Sequence, residues 1–307
     1  MDKLTRVGYN IKKAEIYDKS NKVDLEISIR LQILSIETTV KKIQIHGNKI
    51  RYLDYNNFSS KQRENLVLLH GIGASAERWS RVIPLFHEHF RVIVPDIIGF
   101  GYSDKPTVQY NMPFFVKFLE HFLNILGIEK ASIGGSSFGG LVAAEFATKH
   151  TNMVNKLVLV SPAGTMKTST KLLEEYILAS LYPTHDNVWR AFINMAFDPR
   201  TVTEQTIEEF IHRMNLPNAK YAFMSTMLGI RKTTNLTSRL NKILSPTIIV
   251  WGEQDEMIPV KYAEDYRNIP NSNLQVIPKC GHTPFTEKPQ VFSKIAIDFL
   301  KGFNSIK

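Results

Sequence analysis

Cysteine is nearly absent from this sequence. Cys280 is the only one in 307 residues, which excludes an internal disulfide framework and fits a reducing compartment. It stands two residues before His282, a place that invites redox or metal chemistry, but a packed structural thiol is the expectation. Long hydrophobic runs are missing too: nothing approaches the ~18 apolar residues of a membrane span. The opening MDKLTRVGYNIKK lacks the apolar core of a signal peptide, so the expected location is cytoplasmic. There is no internal repeat and no low-complexity linker, which excludes a solenoid or an extended array. Acidic residues are in deficit, 29 against 38 Lys and Arg, for a formal net charge of +9. The excess sits mainly between Lys41 and Arg63, and elsewhere the two signs are interleaved as on a solvated surface. That distribution argues against nucleic acid as a partner and leaves open a weak contact of the basic stretch with an anionic membrane surface.

What is present is a hydrophobic content of 43%, ample for a sizeable core. Residues 1–37 form an N-terminal arm in which Val23, Leu25, Ile27, Ile29, Leu31 and Ile33 alternate with other residues, as a half-buried strand would. Val40, Ile43 and Ile45 on one side of His46-Gly47-Asn48, with Ile50, Tyr52 and Leu53 on the other, predict a hairpin. Strand and helix signals then alternate. Strands are expected over 65–69, 91–94, 130–133 and 156–160, and helices over 77–90, 114–126 and 141–147. Between 164 and 243 the pattern is helical only, and reads as an inserted cap. The rhythm resumes with a strand at 247–251, a helix at 260–269, a strand at 274–277 and a helix from 289. Residues 38–163 and 244–307 would then form one α/β core with a mostly parallel sheet covered on both faces.

The most informative stretch is IGGSSFGG, residues 133–140. A serine on a tight strand-to-helix turn needs small residues two positions to either side, and Gly135 and Gly139 flank Ser137 in that way. Ser136 is the rival nucleophile, but its corresponding flanks are Gly134 and Phe138. A serine hydroxyl is a poor nucleophile at neutral pH, so Ser137 requires a base and a carboxylate to orient that base. Loops at the carboxyl ends of parallel strands share one edge, where residues distant in sequence converge. His282, in KCGHTPFTEKP, follows the strand ending at Ile277 and is the candidate base. Asp255, in WGEQDEMIP, follows the strand ending at Trp251 and is the candidate acid, with Glu256 as fallback and Glu253 as a further competitor. HGIG at 70–73 allows the backbone N–H of Ile72 to join that of Phe138 as donors to an oxyanion. Here His70 is expected to brace the loop, and Asp96 and Asp104 to fix the PDIIGFGYSD loop through backbone hydrogen bonds. The chemistry calls for no cofactor and no metal.

Taken together, HGIG, PDIIGFGYSDKP, GGSSFGG, WGEQDEMIP and GHTPFTEKP resemble the α/β-hydrolase superfamily in order and spacing, over roughly residues 39–304. The resemblance implies an α/β-hydrolase fold with an eight-stranded, mostly parallel sheet and a helical cap at 164–243 inserted after the sixth strand. It also implies Ser137, Asp255 and His282 as a catalytic triad. A serine nucleophile separates the chain from haloalkane dehalogenases and epoxide hydrolases, which carry aspartate there. The sequence is similar to capped carboxylesterases and monoacylglycerol lipases, which implies a small-molecule ester substrate with an apolar acyl group. It is also similar to hydrolases that cleave carbon–carbon bonds of ring-fission products. Those usually place Asn before the nucleophile and Trp after the histidine, where this sequence has Ser136 and Thr283. A proline-type aminopeptidase is a weaker match, because no amine-binding acidic residues are identifiable in the cap. A non-catalytic small-molecule receptor on the same fold is the alternative from another class. Monomer and homo-oligomer are equally compatible with the sequence.

Overall fold

The computed structural model describes residues 39–56, 63–232 and 236–302. The strand expected within the N-terminal arm lies outside them. The residues from Thr39 onward form one compact unit, the helical insertion included. Its eight strands are β1 (Thr39–Ile45), β2 (Asn48–Tyr55), β3 (Asn65–Leu69), β4 (Arg91–Pro95), β5 (Ala131–Ser136), β6 (Val154–Val160), β7 (Thr247–Gly252) and β8 (Ser272–Ile277). They make a single sheet in the order β1-β2-β4-β3-β5-β6-β7-β8. The pairings β1/β2 and β2/β4 are antiparallel and the rest parallel. His46 and Gly47 both take positive φ, 49° and 79°, the pair of left-handed residues that a tight two-residue hairpin turn requires.

The helices are α1 (Ile83–His87), α2 (Met112–Ile125), α3 (Phe138–Lys149), α4 (Lys171–Leu181), α5 (His185–Met195), α6 (Glu204–Met214), α7 (Ala219–Lys232), α8 (Ala263–Tyr266), α9 (Pro284–Glu287) and α10 (Pro289–Leu300). Helix α2 shows why these segments fold as they do. Asn111 caps its first turn by accepting the N–H of Phe114 at 3.0 Å, and Pro113 occupies a position where no N–H is needed. Its buried residues Phe115, Phe118, Leu119, Phe122 and Leu123 recur at helical spacing and pack toward β1 and α3. On the opposite face α10 packs against α1 and β7. Both faces of the sheet are therefore covered, as its buried central strands demand.

Two expected helices come out shorter. The segment 77–90 is a 3-10 turn at Ala76–Trp79 followed by α1, because Pro84 has no N–H to continue a helix and instead starts a new one. The segment 260–269 is a 3-10 turn, Val260–Tyr262, and the single turn α8. Helices α4, α5, α6 and α7 lie between β6 and β7. Thr170, Thr184 and Thr203 cap the first three of them, each hydroxyl accepting an N–H three residues on. Such a cap contributes about 1 kcal/mol. Among the described residues no helix is long and apolar enough to cross a membrane.

Candidate active site

Strand order sets the position of the site. The chain leaves β3 toward β4 and leaves β5 toward β6, on opposite sides, so a crevice opens at the carboxyl ends of β3 and β5. Leu69 pairs with Gly135 there, which brings the HGIG loop beside Ser137. Ser137 has φ 53° and ψ −115°, a strained conformation for a residue with a side chain. Its N–H extends the sheet to Val160 O at 2.9 Å, and its carbonyl accepts the N–H groups of Leu141 and Ala163, both at 3.0 Å. A Cβ at Gly139 would overlap the carbonyl oxygens of Leu69 and His70, so only glycine lets α3 start this close to β3.

The β7 and β8 loops meet the same edge. Asp255 is buried, and its Oδ1 accepts the N–H groups of Met257 at 3.0 Å and Ile258 at 2.9 Å. Its Oδ2 lies 2.8 Å from Nδ1 of His282. An ionised carboxylate is acceptor only, which assigns the proton to Nδ1 and leaves Nε2 with a free lone pair. Glu253, the further competitor, instead accepts from the side chain of Gln254 at 2.6 Å, and the partner of His282 is Asp255 rather than the fallback Glu256. Ser137 and His282 line one cavity of about 620 Å³, together with Ile72 and Phe138. The N–H groups of Ile72 and Phe138 have no acceptor among the described residues, and the latter opens α3, where the helix dipole adds positive potential.

The supporting loops are tied down by polar groups. His70 Nδ1 bonds Gly71 O at 2.7 Å and Nε2 accepts the N–H of Ile97 at 3.0 Å, a pairing that only a neutral ring satisfies. Burial lowers its pKa accordingly. Asp96 accepts from the N–H groups of Ala76 and Tyr102, and Asp104 from that of Lys49. Cys280 is buried, and that burial, with Glu287 nearby, pushes its thiol pKa up, away from reactivity.

Several residues at the cavity were not singled out by the sequence reading. Tyr176 of α4 donates its hydroxyl to Ile72 O at 2.7 Å and so braces the loop carrying one candidate oxyanion donor. Arg78 and Arg213 both line the cavity. The Arg78 guanidinium makes no ion pair and no side-chain hydrogen bond among the described residues and lies 5.8 Å from the centre of the Phe192 ring. Burial, partly offset by Tyr176 and aided by Arg213 and Arg81, lowers it to about 10, so it stays cationic at neutral pH. Arg213 is 4% exposed; its Nε and Nη1 lack hydrogen-bond partners, and Glu209 stands 3.6 Å away. A sequence signal existed for Arg213: with Ile207, Phe210 and Met214 it falls on the buried face of α6, where a cation is anomalous. Arg78 had none. Among the described residues no group of three or more His, Cys, Asp or Glu could hold a metal ion.

Comparison with known proteins agrees with the fold. The chain is 29% identical over 262 residues to a 2-hydroxy-6-oxo-6-(2'-aminophenyl)hexa-2,4-dienoic acid hydrolase of Metapseudomonas resinovorans, covering 83% of this chain and 88% of that one. It is 27% identical over 281 residues to a 2-hydroxy-6-oxononadienedioate/2-hydroxy-6-oxononatrienedioate hydrolase of Comamonas testosteroni, covering 87% and 98%. A solved meta-cleavage product hydrolase from Pseudomonas fluorescens superposes with a TM-score of 0.78 at 26% identity, covering 86% and 98%. A putative lipase from Acinetobacter baumannii shares the fold at a TM-score of 0.79 and 20% identity, covering 94% and 98%. The profile of the alpha/beta hydrolase fold matches residues 64–289, well over half of the chain. This chain belongs to the α/β-hydrolase fold family.

Proposed function

We propose that the protein is a serine hydrolase that forms an acyl-enzyme on Ser137, and that its substrate is an ester with an apolar acyl body and an anionic group. The observation that carries the reaction type is the set of groups on one cavity wall: a strained serine, an imidazole oriented by a buried carboxylate, and two N–H groups without acceptors. In this reading His282 Nε2 takes the Ser137 proton as Oγ attacks the carbonyl carbon. The oxyanion that forms accepts the N–H groups of Ile72 and Phe138, and Asp255 stabilises the imidazolium. His282 then protonates the leaving alcohol, and water, deprotonated by the same nitrogen, releases the acid and restores Ser137.

The substrate class follows from the lining. Leu173, Phe192, Phe210, Met227 and Ile230 offer apolar surface to an acyl chain or ring, in a volume suited to a small molecule. Arg78 and Arg213 add positive charge and N–H groups short of hydrogen-bond acceptors, Glu209 reaching Arg213 only at 3.6 Å, as a carboxylate site would require. A second reading is cleavage of a carbon–carbon bond in an oxo acid. The printed names of the similar hydrolases describe dienoic acids and dienedioates as their substrates, and the arginine pair suits acids of that kind. Against it stand Ser136 and Thr283, both on the cavity wall, at positions where that group usually has Asn and Trp. Turnover of matched neutral and carboxylate-bearing monoesters, run beside 2-hydroxy-6-oxo-6-phenylhexa-2,4-dienoate, tests both. The expected result is ester cleavage with higher kcat/KM for the carboxylate-bearing member. Dienoate cleavage without ester cleavage would establish the second reading, and a folded protein that turns over neither would establish a binding module.

A further inference from the structure

The loop that carries His282 is held by a carboxylate with no part in the reaction above. Glu287, at the end of α9, is buried. Its Oε2 accepts the N–H of Phe197 at 2.8 Å and that of Gly281 at 3.0 Å, and its Oε1 lies 3.1 Å from Gly281 N and 3.3 Å from Thr283 N. The amides immediately before and after His282 thus converge on one side chain, together with an amide from the insertion, just beyond α5. A fourth bond joins the same two segments, from the N–H of His282 itself to the carbonyl of Met195 at 3.0 Å. Gly281 permits this approach, because a Cβ there would overlap Met195 O and crowd Phe197 N. Arg78, from the turn before α1, is the charged group facing Glu287 across the site, and Lys288 and the Cys280 thiol flank it on its own segment.

We propose that Glu287 is a positioning residue for His282: by fixing the amides on both sides of the imidazole and the amide of Phe197, it aims the ring and binds the histidine loop and the end of α5 into one body. The proposal rests on the reading of His282 as the base. Its chemistry is specific. Three N–H donors with no acceptor among them match an ionised carboxylate, which has only lone pairs to offer, and bonds to a charged acceptor are the stronger kind. A glutamine of the same length would turn an NH₂ toward one of those donors. The insertion, on this view, is not a lid hinged at its α5 end but part of the scaffold that orients the base.

The test is Glu287→Gln, read in two ways. The Nδ1–H proton of His282, whose resonance reports the 2.8 Å bond to Asp255, is followed by NMR in the free protein, which needs no substrate, and kcat and KM are measured for the best ester. That resonance is expected to move and broaden in the variant, because the contact with Asp255 loosens once the flanking amides are released. A misaimed base is expected to lower kcat about 10- to 100-fold with KM changed by less than about threefold. A folded variant with the wild-type His282 Nδ1–H resonance and kcat within about twofold of wild type would overturn the proposal. If the variant does not fold, amide hydrogen exchange in the wild type decides: equal protection of Phe197, Gly281 and Thr283 supports the tie, and exchange at Phe197 about 100-fold faster than at Gly281 overturns it. Absence of ester turnover in the wild type would remove the hydrolase reading, while the Nδ1–H resonance and the exchange measurement would still decide the role of Glu287.

Discussion

Around β1, β2 and β4, Lys41 and Arg91 share the buried Asp54, and Arg51 spans Asp96 and Glu77. At the cavity the match is poorer: Arg213 on α6 meets Glu209 only at 3.6 Å, with its Nε and Nη1 lacking hydrogen bonds, and Arg78 lies against the Phe192 ring. Burial alone would raise the pKa of Asp54, yet the hydrogen bonds and charges of Arg91 and Lys41 hold it below the usual carboxylate range. Two members of the basic stretch, Lys41 and Arg51, are therefore matched by carboxylates of the fold, whereas the cations facing the cavity are scattered singly in sequence. Charge in the first region stabilises a hairpin. In the second it remains available to a ligand, at a cost in stability that a purely structural role would not explain.

The largest effects are expected where the core meets the reaction. Ser137→Ala should lower kcat by about 10⁴- to 10⁶-fold while leaving the melting temperature near wild type, as measured by steady-state assay and calorimetry. Asp255→Asn should lower kcat by about 10³- to 10⁴-fold, since the wrong imidazole tautomer would face the cavity. Gly139→Ala tests the core by its geometry alone. The new methyl would strike the backbone of Leu69 and His70, and urea unfolding should show a loss of about 3 kcal/mol or more.

Arg213→Met carries the comparison to the insertion. It should raise KM for a carboxylate-bearing ester about 10- to 100-fold and leave the neutral isostere within about threefold. Stability should hold or rise, because a buried cation short of hydrogen bonds is removed and its neighbour Glu209 is part-exposed to water. Equal effects on both esters would erase the contrast between matched and unmatched charge. The smallest effect expected is a pH dependence from His70, whose pKa is lowered by burial. The unfolded state binds the proton more readily, so the stabilisation is complete above the unfolded value of about 6.5 and is lost as pH falls from there through the folded value. Thermal melts between neutral and mildly acidic pH should show that decline, and His70→Gln should flatten it.

Much of the sheet was legible because most strands are short apolar runs closed by a turn signal. Asn65–Leu69 is found with the bounds its pattern gives, and β4, β5, β6, β7 and β8 differ from theirs by a few residues at most. The helix expected over 77–90 fails at Pro84, a local signal that the apolar spacing of Trp79, Val82, Ile83 and Phe86 masked. The candidate site was legible where residues stand at strand ends: Ser137, Asp255 and His282 need only the parallel topology to share an edge. Arg78, Tyr176, Arg213 and Glu287 were not, because what distinguishes each is a partner far away in sequence, or the lack of one. Tyr176 reads as one more apolar position of α4 until its hydroxyl is seen on Ile72 O, and Glu287 reads as a solvated charge until three amides meet it.

By itself, then, the sequence determined the elements, their order and a nucleophile held between two glycines, because strand runs, turn residues and the tight bend at Ser137 are properties of adjacent residues. Tertiary structure alone decided which carboxylate meets His282, which N–H groups are left without acceptors, and which cations are buried at the cavity. Those are facts of burial and distance, and they exist only once segments as remote as Ile72, Tyr176 and Arg213 have been brought to the same cavity.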